Sequence, residues 1–225
     1  TATYRHHGRW AGYTPRFAGE SLPNTFQKLK TRGPFTLVLF GDSISEGYNA
    51  SGFTKTAPFT PPYGQLLTSI LEAHYRKPIR FANHSLAGKN SKWGVENIGE
   101  ISAEKPDLVL LAFGMNDASG NMPPKTFAAN IRKMMDAVRN MNASAEFILI
   151  ASMTGNPEWT FSSPETYPRY RDALSELCGK GAALADLTAV WTEILKYKKF
   201  ADITGNGVNH PNDFGHRVYA MILAG

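Results

Sequence analysis

Ser43 and His210 lie far apart in the chain, yet they are the residue types that together carry out nucleophilic acyl chemistry. A serine hydroxyl is a weak nucleophile until a neighbouring base takes its proton, and acyl transfer also needs donors aimed at the developing oxyanion. Ser43 stands in Gly41-Asp42-Ser43-Ile44-Ser45, directly after the apolar run Phe35 to Phe40. Its own backbone N–H, the N–H of Gly88 and the side-chain amide of Asn116 are candidate oxyanion donors. Glycine suits position 88 because a side chain there would block close approach of the backbone to a ligand. His210, in Asn209-His210-Pro211, is the candidate base.

Neighbouring polar residues carry plainer readings. Asp42 and Asp117 brace the turns around these positions. Asp213 reads as a helix N-cap, since a carboxylate there accepts orphan N–H groups. His216, one helical turn further, reads as a solvent or packing residue, and His84 as a structural histidine. His6 and His7 have no second ligand pair at matching spacing, so no metal site is expected. Trp93 and Trp159 are candidate walls of a substrate pocket, with Phe161 beside Trp159, and aromatic faces of this kind also stack on sugar rings; a core role fits each of them equally well.

These residues need elements that bring them together. Apolar runs at Phe35 to Phe40, Ile79 to Ala82, Leu108 to Phe113, Phe147 to Ala151 and Ala182 to Ala185 read as strands. Helical spacing predicts helices over Tyr63 to Tyr75, Thr126 to Met141, Glu165 to Cys178, Thr188 to Tyr197 and Asp213 to Leu223. Alternation of this kind implies a parallel sheet with helices on both faces, and near-continuous apolar strands fit a sheet buried on both sides. The expected fold is one α/β domain over 35–225, with an irregular N-terminal extension over 1–34. Residues 49–62, rich in proline and glycine, read as a long ordered loop. In an open sheet of this class, ligands bind at the carboxyl ends of the strands, where the blocks holding Ser43, Gly88 and Asn116 all fall.

Composition excludes several classes. Hydrophobic residues make up 42% and charged residues 19%, the balance of a globular protein. The net charge is +5, but the 24 basic residues are scattered rather than striped, so no nucleic-acid partner is expected. No apolar run approaches the roughly 20 residues that cross a bilayer. The single cysteine, Cys178, rules out an intrachain disulfide and a cysteine-based metal cluster. There is no Gly-x-Gly-x-x-Gly or Gly-x-x-x-x-Gly-Lys loop for a nucleotide.

Taken in order, Gly41-Asp42-Ser43-Ile44, Gly88, Gly114-Met115-Asn116-Asp117 and His210-Pro211 resemble the four blocks of the SGNH (GDSL-like) hydrolases. The resemblance runs from about residue 35 to the end. It implies a flavodoxin-like three-layer α/β/α sandwich with a five-stranded parallel sheet. It implies Ser43 as nucleophile, His210 as base, and an oxyanion hole made of Ser43 N–H, Gly88 and Asn116, with no cofactor. The Gly-x-Ser-x-Gly elbow of α/β-hydrolases is absent, because Ser45 occupies the second glycine position.

Two positions depart from the family pattern. Ile44 replaces the usual Leu, a volume-conserving change. Gly207 stands three residues before the histidine, where the family carries Asp. That carboxylate would fix the histidine tautomer. Its place can be taken by a backbone carbonyl, leaving a Ser–His dyad, or by a carboxylate from elsewhere. Glu158, after the fourth strand, ranks first and Asp202 second; Asp186 reads as a helix cap. The segments 85–94 and 205–213 are similar to those of bacterial SGNH proteins associated with polysaccharide deacetylation. They imply a small O-acyl, chiefly acetyl, ester on carbohydrate, and favour an exported protein over a cytoplasmic one. A general short-chain esterase, arylesterase or lysophospholipase is the alternative reading. A non-catalytic carbohydrate-binding module on the same fold is the rival from another class.

Overall fold

The computed structural model describes residues 8–225. His6 and His7 lie outside the described residues. Five strands, β1 (Thr36–Gly41), β2 (Arg80–Asn83), β3 (Leu108–Ala112), β4 (Glu146–Ala151) and β5 (Ala182–Asp186), form one parallel sheet in the order β2-β1-β3-β4-β5. Val38 pairs with Ala82 on one side and Val109 on the other, and Val109 in turn pairs with Phe147. The helices are α1 (Pro23–Lys30), α2 (Ser43–Glu46), α3 (Tyr63–Tyr75), α4 (Ser91–Ala103), α5 (Met115–Ser119), α6 (Pro124–Met141), α7 (Thr166–Ser175), α8 (Leu187–Ile194), α9 (Phe200–Ile203) and α10 (Asp213–Ala224). Among the described residues, no helix is long and apolar enough to cross a membrane.

Successive strand residues point to opposite faces, and β1 shows what covers each. Leu39 lies against Gly64 of α3, while Phe40 lies 5.4 Å from the Trp93 ring of α4. On one face, α3 packs on α10, and Trp191 of α8 sits edge-on to Tyr219 of α10. On the other, α4 packs on α6 and α6 on α7. This is the expected three-layer sandwich. Helices cover both faces, so β3 and β4 are buried throughout, and Leu108–Ala112 and Phe147–Ala151 read as unbroken apolar runs. In α6, Phe127, Ile131, Met134, Met135 and Val138 are buried at helical spacing, the stripe that docks it.

Among the helices of eight residues or more, two were not expected, and the short α2, α5 and α9 also lie outside the expected spans. Helix α4 contains Gly94 and Gly99, which weaken any helical reading of the sequence. A Cβ at Gly94 would meet Met134 Sδ at 2.7 Å and the Phe113 ring at 3.0 Å, so glycine is what allows α4 to lie close to the sheet and α6. Helix α1 falls inside the stretch read as an irregular extension. Its first turn is held by the buried Glu146 carboxylate, which accepts from Asn24 N at 3.0 Å and Thr25 N at 2.8 Å. Lys28 pairs with Asp107, and Leu22 and Leu29 are buried in the common core. Residues 22–30 are thus part of the same packed body.

The strand order changes direction between β1 and β3. In open sheets of this class, such a switch point marks where ligands bind, beyond the carboxyl ends of the two strands. The segments after β1, β2 and β3 converge there, carrying Ser43, Gly88 and Asn116 respectively.

Candidate active site

Ser43 is the first residue of α2. The chain leaves β1 at Gly41, where a Cβ would meet Ala112 O at 2.4 Å, so only glycine lets β1 and β3 lie this close. Asp42 caps α2 by accepting from Ile44 N at 3.0 Å. Its carboxyl is buried, and burial, reinforced by the charge of Asp117, pushes its pKa up to about 7. Asp42 therefore braces the turn, as its position suggested.

The turn holding Gly88 is tied to α2 and to α5. Ala87 N donates to Glu46 Oε2 at 2.7 Å, and Leu86 N to Gly41 O at 3.1 Å. Asn116 Nδ2 donates to Lys89 O at 2.9 Å, which fixes the plane of its amide and leaves a second N–H. Asp117 accepts from Ser91 N at 3.0 Å and from Ser91 Oγ, and Asn130 Nδ2 donates to Ser91 Oγ at 3.0 Å. A chain of short contacts thus joins the three candidate oxyanion donors into one frame. Gly88 has φ 76°, a left-handed conformation, and a Cβ there would meet no protein atom. Its side faces open space. Among the described residues, neither Ser43 N–H nor Gly88 N–H donates to another protein group.

His210 arrives from the loop before α10. Its Nε2 lies 2.7 Å from Ser43 Oγ, across 167 residues of sequence. Burial holds its pKa below the ordinary histidine value, so the ring is neutral near pH 7. The loop is closed by Gly205 N donating to His210 O at 2.9 Å. At its centre, Asn206 Oδ1 accepts from Val208 N (3.0 Å), Asn209 N (3.0 Å) and His210 N (3.1 Å). Asn206 Nδ2 lies 2.8 Å from His210 Nδ1 and 3.0 Å from Asn209 Oδ1.

Among the described residues, no carboxylate pairs with His210, and its Nδ1 meets Asn206 instead. Gly207 has φ 70°, a conformation that favours glycine, and its carbonyl accepts from Asn156 Nδ2 at 2.9 Å. Neither ranked substitute reaches the ring. Asp202 Oδ2 accepts from Lys199 N at 2.8 Å at the start of α9. Glu158 is exposed, and its backbone N–H donates to Asn156 Oδ1. Asp186 caps α8 by accepting from Ala189 N at 2.8 Å.

The surroundings of the pair are partly aromatic. Trp93 packs on the core beside Phe40, and Trp159 is half-buried with the exposed Phe161 at 5.9 Å. The aromatic ring that lies over His210 is instead Tyr48, at 5.3 Å, with Phe53 a further 5.0 Å away. Asn212, not Asp213, caps α10, accepting from Phe214 N and Gly215 N. Asp213 clamps the 49–62 loop, accepting from Ser51 N and Ser51 Oγ, each at 2.7 Å. That loop carries Phe53 to the site. His216 is fully buried, its Nδ1 accepting from Tyr63 N and its Nε2 donating to Tyr48 O. His84 pairs with Glu104 at 3.2 Å. Asn206 and Tyr48 were not singled out from the sequence. The Asn-Gly step at 206–207 was the available signal for a tight turn, four residues before His210.

Comparison with known proteins agrees with this fold. Residues 39–218 match the GDSL-like Lipase/Acylhydrolase family. An arylesterase of Vibrio mimicus is 28% identical over 115 residues, which cover 51% of this chain and 54% of that protein, so the match spans about half the length of each. A two-domain esterase active on acetylated mannans superposes with a TM-score of 0.71 at 17% identity, covering 94% of this chain and 53% of that one. Axe2, an acetylxylan esterase from Geobacillus stearothermophilus, superposes with a TM-score of 0.64 at 22% identity, covering 86% and 92% of the two chains. At such identities these two structures establish the shared fold.

Proposed function

Because the chain belongs to the GDSL-like lipase/acylhydrolase family, we propose that it is a serine carboxylic ester hydrolase that removes small acyl groups, chiefly acetyl, from carbohydrate. The observation that carries this reading is the 2.7 Å contact between Ser43 Oγ and His210 Nε2. His210 takes the proton as Ser43 Oγ attacks the ester carbonyl, and returns it to the leaving alcohol. Water then enters by the same route and frees the acid. The oxyanion of each tetrahedral intermediate meets Ser43 N–H, Gly88 N–H and the spare N–H of Asn116. These donors are held by the α2 turn and the Lys89 contact before substrate arrives, which is what makes them effective. The reaction needs no cofactor.

The acyl and sugar parts rest on different support. The half-exposed Tyr48 and Phe53 supply flat apolar faces beside the base, suited to a sugar ring. The names of the two esterases above, active on acetylated mannans and on acetylxylan, point the same way for this chain. Hydrolysis of p-nitrophenyl esters from acetyl to octanoyl, together with acetate release from acetylated xylo- and manno-oligosaccharides, tests the proposal. Rates should fall steeply with acyl length, and acetate should appear from at least one oligosaccharide. Rates that rise with acyl length would favour a lipase or lysophospholipase. Binding of the oligosaccharides without any hydrolysis would favour a carbohydrate-binding module.

A further inference from the structure

We propose that Asn206 is a positioning residue that holds His210 in the tautomer with its proton on Nε2, so that the Ser43–His210 pair rests with its base masked. This deepens the reading of Ser43 and His210 as nucleophile and base, and rests on it.

The orientation of the Asn206 amide follows from its partners. Three backbone N–H groups, those of Val208, Asn209 and His210, converge on one of its two terminal atoms at 3.0–3.1 Å. Backbone N–H groups only donate, so that atom is the oxygen. The other atom is the NH2, whose two hydrogens have two partners, Asn209 Oδ1 and His210 Nδ1. Turning the amide over would set its NH2 against three donors. An NH2 cannot accept, so in a neutral imidazole Nδ1 is the lone-pair nitrogen and Nε2 carries the hydrogen. The 2.7 Å contact with Ser43 then runs from His210 Nε2–H to Ser43 Oγ, the reverse of what deprotonation of the serine requires.

Catalysis must therefore begin by moving the imidazole proton to Nδ1, where it meets donors instead of an acceptor. The imidazolium formed when Ser43 gives up its proton has the same unpartnered Nδ1–H. In Ser–His–Asp triads, exchanging the Asp for Asn costs about 10⁴-fold in kcat for this reason. The loop is built to keep the arrangement. Gly207 turns the chain with φ 70°, and Asn156 holds the Gly207 carbonyl at 2.9 Å.

Asn206→Asp is the informative variant because it keeps the shape and the acceptor for all three backbone N–H groups. Its second oxygen would face Nδ1 and accept the proton there, while the Asn209 amide turns to donate. The experiment is 15N NMR of the full chain to read the His210 tautomer, with kcat for p-nitrophenyl acetate against pH. Peptide mass spectrometry checks that wild-type Asn206 is still the amide, since an Asn followed by Gly loses ammonia by attack of the Gly nitrogen on Cγ. We expect Nε2–H in the wild type and Nδ1–H in Asn206→Asp. We also expect kcat to rise at least about tenfold, with about 10⁴-fold as the ceiling. The acid limb should move to higher pH as the carboxylate favours the imidazolium. Nδ1–H in the wild type, or a folded Asn206→Asp protein no faster than wild type, overturns the proposal. The same assay on Ser43→Ala separates the two failures. Activity surviving that change indicts the nucleophile, whereas the tautomer read by NMR judges Asn206 independently.

Discussion

Replacing Asn116 by Ala removes one proposed oxyanion donor while leaving nucleophile and base in place. Asn116 Nδ2 spends one hydrogen on Lys89 O at 2.9 Å, so the amide is fixed and the other hydrogen is free for substrate. Loss of one such donor costs about 2.7–4 kcal/mol of transition-state stabilisation, or about 10²–10³-fold in kcat. KM should stay within about threefold, because this donor meets a charge that exists only beyond the ground state. The structural cost is a different size. Losing one neutral hydrogen bond to Lys89 O costs about 1 kcal/mol, which lowers Tm by about 2–4 °C in a chain of this length. The two effects separate cleanly when kcat and KM are measured well below the melting range on a protein whose thermal curve is known. Asn116→Asp, close in shape, places a carboxylate beside both the Lys89 carbonyl and the developing oxyanion, and should lose at least as much. A kcat within about threefold of wild type in Asn116→Ala, or a loss confined to KM, would refute the assignment of Asn116 to the oxyanion hole.

Gly88→Ala should fold, because its Cβ meets no protein atom, and should lose about 1–2 kcal/mol of stability to the left-handed φ of 76°. The same methyl group points into open space at the site, so kcat/KM should fall more than tenfold; kinetics and urea melts check the pair of effects. His216 is neutral in the fold down to about pH 4, against 6.5 for an exposed histidine, because it is buried. As pH falls below 6.5 the unfolded chain binds this proton first, so the stability tied to a neutral His216 is intact above pH 6.5 and lost between 6.5 and 4. The gap corresponds to about 3 kcal/mol. His216→Gln should flatten the difference in unfolding free energy over that window by about this amount, measured by urea melts across pH. Comparing the two proteins cancels the opposing trend from the buried Asp42.

The sheet was legible because its strands are buried on both faces, so Leu108 to Ala112 and Phe147 to Ala151 show as unbroken apolar runs. The places of Ser43, Gly88 and Asn116 after β1, β2 and β3 were legible too, since Gly41, Gly88 and Gly114 mark the turns that follow those runs. Helix α4 was hidden because Gly94, which breaks the helical pattern, is there for close packing against Phe113 and Met134. Helix α1 was hidden because its stability comes from Glu146 and Asp107, more than 70 residues away along the chain. The residue behind His210 was missed for a conformational reason. Counting three residues back lands on Gly207, whereas the loop turns at that glycine and brings Asn206 to the ring. Tyr48 gave no spacing signal, because it reaches His210 only through the left-handed turn at Gly47, φ 118°. Residue type alone left Trp93 and Trp159 open between a pocket wall and the core, and both are half-buried against it.

The most direct test of the central claim is hydrolysis of p-nitrophenyl acetate near pH 7.5 by wild type and by Ser43→Ala, with folding of both confirmed by circular dichroism. The 2.7 Å contact to His210 predicts measurable turnover in the wild type, slowed by its tautomer, and loss of that turnover to background in Ser43→Ala. Turnover that survives unchanged without the Ser43 hydroxyl would contradict the assignment of Ser43 as the nucleophile.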